Sequence, residues 1–292
     1  MNYMNLSLAW MGALNMALAL SGCTNGIETG LSAPEGIPVT VLAEISPVTK
    51  SGEAVSSDNS FDRTSFLSGD QIKVTRTKKA SGTAAPQSAS YRYDGTSAWT
   101  VVGTSPVTLE PAVTYSAQFP ADYSAINQFQ TTSTAYLLKT GDATSSDGTL
   151  DFTSSGKPFT HVNSKLTLKF TVNRETTIAN DAVLVAAAGI RTAVSTNQTI
   201  TLYRPYPVDA SRKYEWCGIL RAVGGSAGTP ATDLTVSLTC DGVTYKATLT
   251  GCALRTGYHY TYNLTLHNDM LIPESCTIGK WTDEIMAGGN LT

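Results

Sequence analysis

The octapeptide KLTLKFTV, residues 165–172, alternates apolar and polar side chains without a break. Leu166, Leu168, Phe170 and Val172 fall on one side, and Lys165, Thr167, Lys169 and Thr171 on the other. Successive side chains of an extended chain point to opposite faces, so a period of two predicts a half-buried antiparallel strand. The pattern recurs in GYHYTYNLTL (257–266), where Tyr258, Tyr260, Tyr262, Leu264 and Leu266 share a face, and in DQIKV (70–74) through Ile72 and Val74. In IPVTVLAEIS (37–46) it aligns Ile37, Val39, Val41, Ala43 and Ile45, with Leu42 the one bulky exception. LTVSLTCDGVTYKATL (234–249) contains two such runs joined by Asp241 and Gly242, the dipeptide that favours a two-residue type I′ hairpin. Helical spacing is hinted at only around Asp181 to Ala188.

Composition agrees with strands. Hydrophobic residues make up 41% and charged residues 15%, against about 25% charged in an average domain. Abundant Thr, Val and Tyr suit a pleated, half-buried surface. The expected fold is all-β, with many short strands separated by turn signals arranged as two tandem β-sandwiches. TSSGKPF (153–159) collects small and turn-forming residues, which places the N-terminal sandwich at 37–156 and the C-terminal one at 157–292. A formal net charge of −3 with 20 Lys plus Arg argues against a nucleic-acid partner.

The N-terminus has a different character. Leu6 to Leu20 is largely apolar and uncharged, a run of about fifteen residues where a bilayer span needs about 20. It fits the apolar region of a secretory signal covering 1–22, and Leu20, Ser21, Gly22 and Cys23 look like a bacterial lipobox. Cys23 is then the first mature residue and carries lipid, with 23–36 a short leash. Acyl chains contribute about 0.8 kcal/mol per buried methylene, enough for several on one cysteine to hold a domain at a membrane.

Chemistry-bearing motifs fail their context. GGSAG (224–228) has the spacing of a hydrolase nucleophile elbow but is followed by loop and strand instead of a helix. His161, His259 and His267 offer no metal-ligand spacing and no triad partners, so neither a metal, a cofactor nor catalysis is expected. Cys217, Cys240, Cys252 and Cys276 allow three pairings, and both disulfides among them and buried thiols stay open. Cys240 and Cys252 should sit at opposite ends of the 234–249 hairpin, about 30 Å apart, too far to bridge. The aromatic groups Tyr91, Tyr93, Trp99 and Tyr203, Tyr206, Tyr214, Trp216 read as core or sheet face in preference to a sugar-stacking platform.

The lipobox, FLSGDQIKV at Phe66, YRYDGTSAW at Tyr91, YSAQFP at Tyr115, FTHVNSKLTLKF at Phe159, GYHYTYNLTL at Gly257 and TIGKW at Thr277 occur in an order that resembles the fimbrillin family. These are the subunits and accessory proteins of lipoprotein-derived pili in Gram-negative anaerobes. The resemblance implies two sandwiches of transthyretin-like topology and an adhesive, non-catalytic role at the cell surface. It implies a lipidated precursor carried to the outer membrane, with other pilus subunits and a host or bacterial surface receptor as partners. It also implies cleavage between Arg63 and Thr64 by an Arg-specific protease, freeing the strand Ile37, Val39, Val41, Ala43, Ile45 for replacement by a strand of another subunit. After Trp281 only TDEIMAGGNLT follows, short for a donor strand, which puts a tip or anchor role beside a stalk role. The alternative expectation is a surface lipoprotein that binds glycans for nutrient capture.

Overall fold

The computed structural model describes residues 36–46, 65–77, 86–131, 136–173, 176, 178–223, 232–281 and 285–286. Cys23, the leash up to residue 35, Arg63, Thr64 and GGSAG lie outside the described residues. Among the described residues every regular element is a strand.

The first eight are β1 (Thr40–Ala43), β2 (Gln71–Arg76), β3 (Gln87–Tyr93), β4 (Trp99–Val101), β5 (Tyr115–Phe119), β6 (Leu138–Lys139), β7 (Thr149–Phe152) and β8 (Thr160–His161). They form a two-stranded sheet, β1-β7, and a six-stranded sheet, β4-β3-β2-β5-β6-β8. Aromatic rings tie the two together. Phe66 meets Trp99, Phe119 and Phe159 edge-on at 5.0, 5.4 and 5.3 Å between centroids, and Phe159 meets Phe152 at 6.2 Å. Edge-to-face packing at these spacings adds about 0.5–1.5 kcal/mol per pair beyond area burial.

The remaining nine are β9 (Ser164–Val172), β10 (Val183–Ala188), β11 (Asn197–Thr201), β12 (Glu215–Leu220), β13 (Thr232–Cys240), β14 (Val243–Cys252), β15 (Tyr258–His267), β16 (Met270–Lys280) and β17 (Ile285–Met286). Their sheets are β11-β10-β13-β14 and β12-β9-β15-β16-β17, so the change from one set of sheets to the other falls between His161 and Ser164. Leu166, Leu168, Val183, Val185, Val236, Leu238 and Leu264 are buried, and Phe170 meets Trp216 edge-on at 5.6 Å.

Three expectations change. Alternation predicted antiparallel strands, yet β15 runs parallel to β9 from His259 to Leu266 while pairing antiparallel with β16. Side-chain period fixes which face is buried and says nothing about a neighbour's direction. Asp181 to Ala188 is not helical: Val183, Val185 and Ala187 line the buried face of β10, and Leu184, Ala186 and Ala188 on the other face are half-buried. On β9 the polar side is only partly exposed, because Lys165 and Thr167 are buried while Lys169 and Thr171 are open.

The Asp241–Gly242 turn forms as read. Cys240 pairs with Val243, and both turn residues have positive φ, 50° and 78°. Cys252 pairs with Thr232 at the far end of the same hairpin. All four late cysteines are buried free thiols. Cys252 Sγ lies 3.2 Å from the Tyr262 hydroxyl. Burial pushes the Cys252 and Cys276 thiols up, so both stay protonated and behave as small core residues.

YRYDGTSAW, one of the landmark motifs, is a built hairpin end. Asp94 Oδ1 accepts from the Thr96, Ser97 and Ala98 N–H groups at 2.7, 3.0 and 3.1 Å, and Oδ2 accepts from the Thr96 hydroxyl at 2.8 Å. These donors, led by the Thr96 N–H, hold the Asp94 carboxyl down at about 2. FLSGD docks on this turn: Gly69 N donates to Tyr93 O at 2.9 Å and Tyr93 N to Asp70 O at 2.8 Å. With a folded pKa of about 2 and an unfolded one of about 3.9, the carboxylate stabilises the fold above the unfolded value, and that stability is lost as pH falls through the folded one. Asp94→Asn should therefore lower Tm at pH 7, and the gap from wild type should shrink between about pH 4 and pH 2. Thermal melts across that range check it, and a gap independent of pH would show that charge plays no part.

Candidate functional site: the first strand and its groove

The candidate strand Ile37, Val39, Val41, Ala43, Ile45 sits in a groove of the first set of sheets. Along β1 the partner is β7, in parallel, with Val41 opposite Leu150 and Ala43 opposite Phe152. Thr40 N donates to Gly148 O at 2.8 Å, Glu44 N to Phe152 O at 3.0 Å, and Ser46 N to Phe159 O at 2.9 Å. Before β1 the partner changes: Val39 N donates to Val107 O at 3.0 Å and Leu109 N to Ile37 O at 2.7 Å, in an antiparallel arrangement. Two different walls thus grip one extended segment.

Side-chain placement follows the alternation with one departure. Val39, Val41 and Ile45 are buried, Ala43 is half-buried against the core, and Ile37 is 44% exposed. Leu42, the bulky exception in the pattern, points outward at 42% exposed. The groove floor is apolar: Val107, Leu109, Leu150, Phe152 and Phe159 are fully buried.

The 106–110 wall belongs to no regular strand, and side chains hold it instead. Gln87 bridges it, with Nε2 donating to Pro106 O at 2.8 Å and Oε1 accepting from Thr108 N at 3.0 Å. Val107 N donates to the Tyr91 hydroxyl at 3.1 Å, and Glu110 N to the Tyr115 hydroxyl at 2.8 Å. Arg76 is buried and donates from Nη1 to Thr108 O at 3.1 Å and to the Thr108 hydroxyl at 2.8 Å, with Glu110 Oε1 at 3.4 Å. Burial pushes the Tyr91 and Tyr115 hydroxyls up, so both stay neutral. None of these bonds involves β1. Side chains of β2, β3 and β5 thus hold this wall from the side away from the strand it receives.

Nothing in the sequence pattern pointed to Arg76, Gln87, Tyr91 or Tyr115 as wall builders. Tyr91 and Trp99 are core residues, and so is Trp216, whose Nε1 donates to Asn180 O at 3.0 Å. The histidines are dispersed. His161 is buried and stacked on Trp281 at 3.7 Å, His259 Nε2 lies 2.8 Å from the Thr167 hydroxyl, and His267 is exposed beside Asn173. Among the described residues no group of three His, Cys, Asp or Glu is placed to hold a metal ion.

Residues 48–281 match the pattern of the fimbrillin-like family. The fold is similar to that of a candidate cell adhesion protein from Bacteroides ovatus ATCC 8483, with TM-score 0.58 and 16% identity over 85% of this chain and 98% of that one. A candidate cell adhesion protein from Bacteroides uniformis ATCC 8492 gives TM-score 0.52 and 14% identity over 84% and 98%. The tip fimbrial protein Mfa3 from Porphyromonas gingivalis gives TM-score 0.45 and 14% identity over 85% and 100%. No curated protein matches the chain in sequence. The chain belongs to the fimbrillin-like family.

Proposed function

We propose that the protein is a structural or adhesive component of a cell-surface fimbria, exported as a precursor lipidated at Cys23 and assembled by exchange of its first strand after cleavage at Arg63. The observation that carries this reading is that one wall of the groove, 106–110, is held by side chains of β2, β3 and β5 and by none of β1. That wall is fixed by Arg76, Gln87, Tyr91 and Tyr115, so it can outlast the strand it holds and offer its backbone groups to another. A vacated groove with apolar floor and open backbone groups is costly, and a strand from a second subunit relieves that cost by β-augmentation.

The position of Arg63 suits such a cut. Two residues past Thr64, Phe66 is buried among Trp99, Phe119 and Phe159. Cleavage at Arg63 would separate everything before that aromatic anchor from everything after it. The chain after the cut would remain pinned to the core through Phe66, while the released segment would keep only the non-covalent hold of 36–46.

Lipidation is the separable part of the proposal. Cells grown with a palmitate analogue should label the wild type and leave Cys23→Ala unlabelled; label persisting on the variant would overturn the assignment of Cys23. The N-terminal residue of protein taken from native fimbriae tests the cut. Thr64 there supports a polymerising subunit, whereas lipidated Cys23 in assembled fimbriae would rule cleavage out and make this an anchor.

A further inference from the structure

A cleft of about 380 Å³ opens where the loop after β5 meets the second set of sheets. Its size falls in the range of about 300–1,000 Å³ that small-molecule sites occupy. Tyr123 and Leu137 come from one side, and Asn163, Arg191, Thr192, Arg221 and Thr256 from the other. Among the described residues no carboxylate lines it, although the chain as a whole is acidic.

The two arginines are neighbours and are held in place. Arg221 N donates to Ile190 O at 2.7 Å, which sets Arg221 beside the residue that precedes Arg191. Arg191 Nε donates to Ile126 O at 3.1 Å and its Nη1 to Gln128 Oε1 at 3.4 Å, and Arg221 Nη1 donates to Gly189 O at 3.3 Å. A guanidinium has five N–H groups, so these anchors orient each fork and leave most of its donors for a ligand. Two cations lining one cleft without an acid raise its potential, and low-dielectric walls focus that potential on an anion. A planar carboxylate fits such forks with paired hydrogen bonds.

The rest of the lining suits a sugar ring. Tyr123 offers an aromatic face, and its hydroxyl is hydrogen-bonded to the Asn163 side chain, which is buried and also takes the Leu137 N–H at 2.7 Å. Thr192 and Thr256 bring further hydroxyls to the same lining. Neutral donors and acceptors of this kind match ring hydroxyls, while the arginines match a charge.

We propose that this cleft binds an acidic saccharide, with the carboxylate of a uronate or similar sugar acid seated between Arg191 and Arg221 and the ring against Tyr123. The site goes beyond strand exchange and is complete in one copy of the chain, so it can be tested on the monomer whatever the outcome for assembly.

Isothermal titration of the full chain with digalacturonate should give saturable one-site binding that weakens as salt is raised. Galactobiose, which keeps the rings and lacks the charge, and acetate, which keeps the charge and lacks the ring, should each bind at least tenfold more weakly. Arg221→Gln should cost tenfold or more for digalacturonate, and Arg221→Lys, which keeps the charge but not the fork, should fall between. An unchanged circular dichroism spectrum and Tm identify which of the two variants reads binding and not folding. Absence of saturable binding, equal binding of galactobiose or acetate, or full affinity in a folded Arg221 variant would overturn the proposal. Tighter binding of a peptide ending in a free carboxylate would make the site a polypeptide-terminus receptor and overturn it equally.

Discussion

Cutting between Arg63 and Thr64 and stripping away the released segment should convert a monomer into an assembling subunit, and a synthetic peptide spanning Ile37–Ser46 should reverse that conversion. The expected effect is large because β1 is embedded. Val39, Val41 and Ile45 are buried, and burial of such side chains contributes about 1.5–3 kcal/mol each. The backbone bonds to Val107, Leu109, Gly148, Phe152 and Phe159 add about 0.5–1.5 kcal/mol apiece. Together these approach the roughly 5–15 kcal/mol that holds a whole domain folded. A stripped groove is therefore either filled by another chain or lost by unfolding. Size-exclusion chromatography with mass measurement reads assembly, and the melting temperature reads unfolding. Peptide carrying Val41→Asp should fail to rescue, because it would bury an unpaired charge opposite Leu150. A stripped protein that stays monomeric with its melting temperature unchanged would end the strand-exchange reading.

How far the sequence revealed this site differs from residue to residue. Alternation in 37–46 identified β1 and the inward side chains Val39, Val41 and Ile45. It missed Ile37, because the segment changes partners at Pro38 and leaves Ile37 44% exposed at the start of the groove. The parallel partner, β7, was out of reach, since Thr149–Phe152 lies about a hundred residues away and a period of two is blind to direction. The wall at 106–110 was hidden for another reason. It has no periodicity, and what holds it is side chains on three strands that the sequence separates.

The family's landmark motifs were legible as order and opaque as chemistry. FLSGD and YRYDGTSAW look like two unrelated turns, yet they form one joint through Gly69, Asp70, Tyr93 and Asp94. Strand β12, EWCGIL, was the hardest element to see. All six of its residues are buried, so no polar face marks its alternation. A strand buried on both faces reads as an apolar run with no period of its own.

That strand carries the second large effect. β12 stands at the end of its sheet, paired on one side with β9, and its other edge is closed without a regular partner strand. Tyr203 and Cys217 exchange backbone bonds at 2.9 and 2.8 Å. One step further on, the amide of Gln130 completes the edge: Nε2 donates to Ile219 O and Oε1 accepts from Ile219 N, both at 2.7 Å. A side-chain amide here stands in for a peptide group of a neighbouring strand. Gln130 is buried, and its own backbone N donates to Thr201 O at 3.1 Å, so the 126–130 segment of the first half is clamped to the second half through it.

Gln130→Ala should leave two buried main-chain groups of Ile219 without partners, at about 1–3 kcal/mol each, and urea unfolding should show a loss of about 2–5 kcal/mol. Gln130→Glu separates geometry from hydrogen bonding. It keeps the acceptor for Ile219 N but sets a buried carboxylate against Ile219 O, which raises the acid's folded pKa above its usual value. An acid whose folded pKa is raised weakens the fold at high pH, so Gln130→Glu should be as destabilising as Ala at pH 8 and should recover as pH falls and the carboxyl becomes a donor. The space around the amide is closed too. A Cβ added at Gly218 would lie 2.5 Å from Leu202 Cδ2 and 2.8 Å from Gln130 Oε1. Gly218→Ala should displace the same amide, and its cost should not add to that of Gln130→Ala, since both break one arrangement. Full additivity in the double-mutant cycle, or a pH-independent Gln130→Glu, would mean that the edge of β12 is closed by something other than this amide.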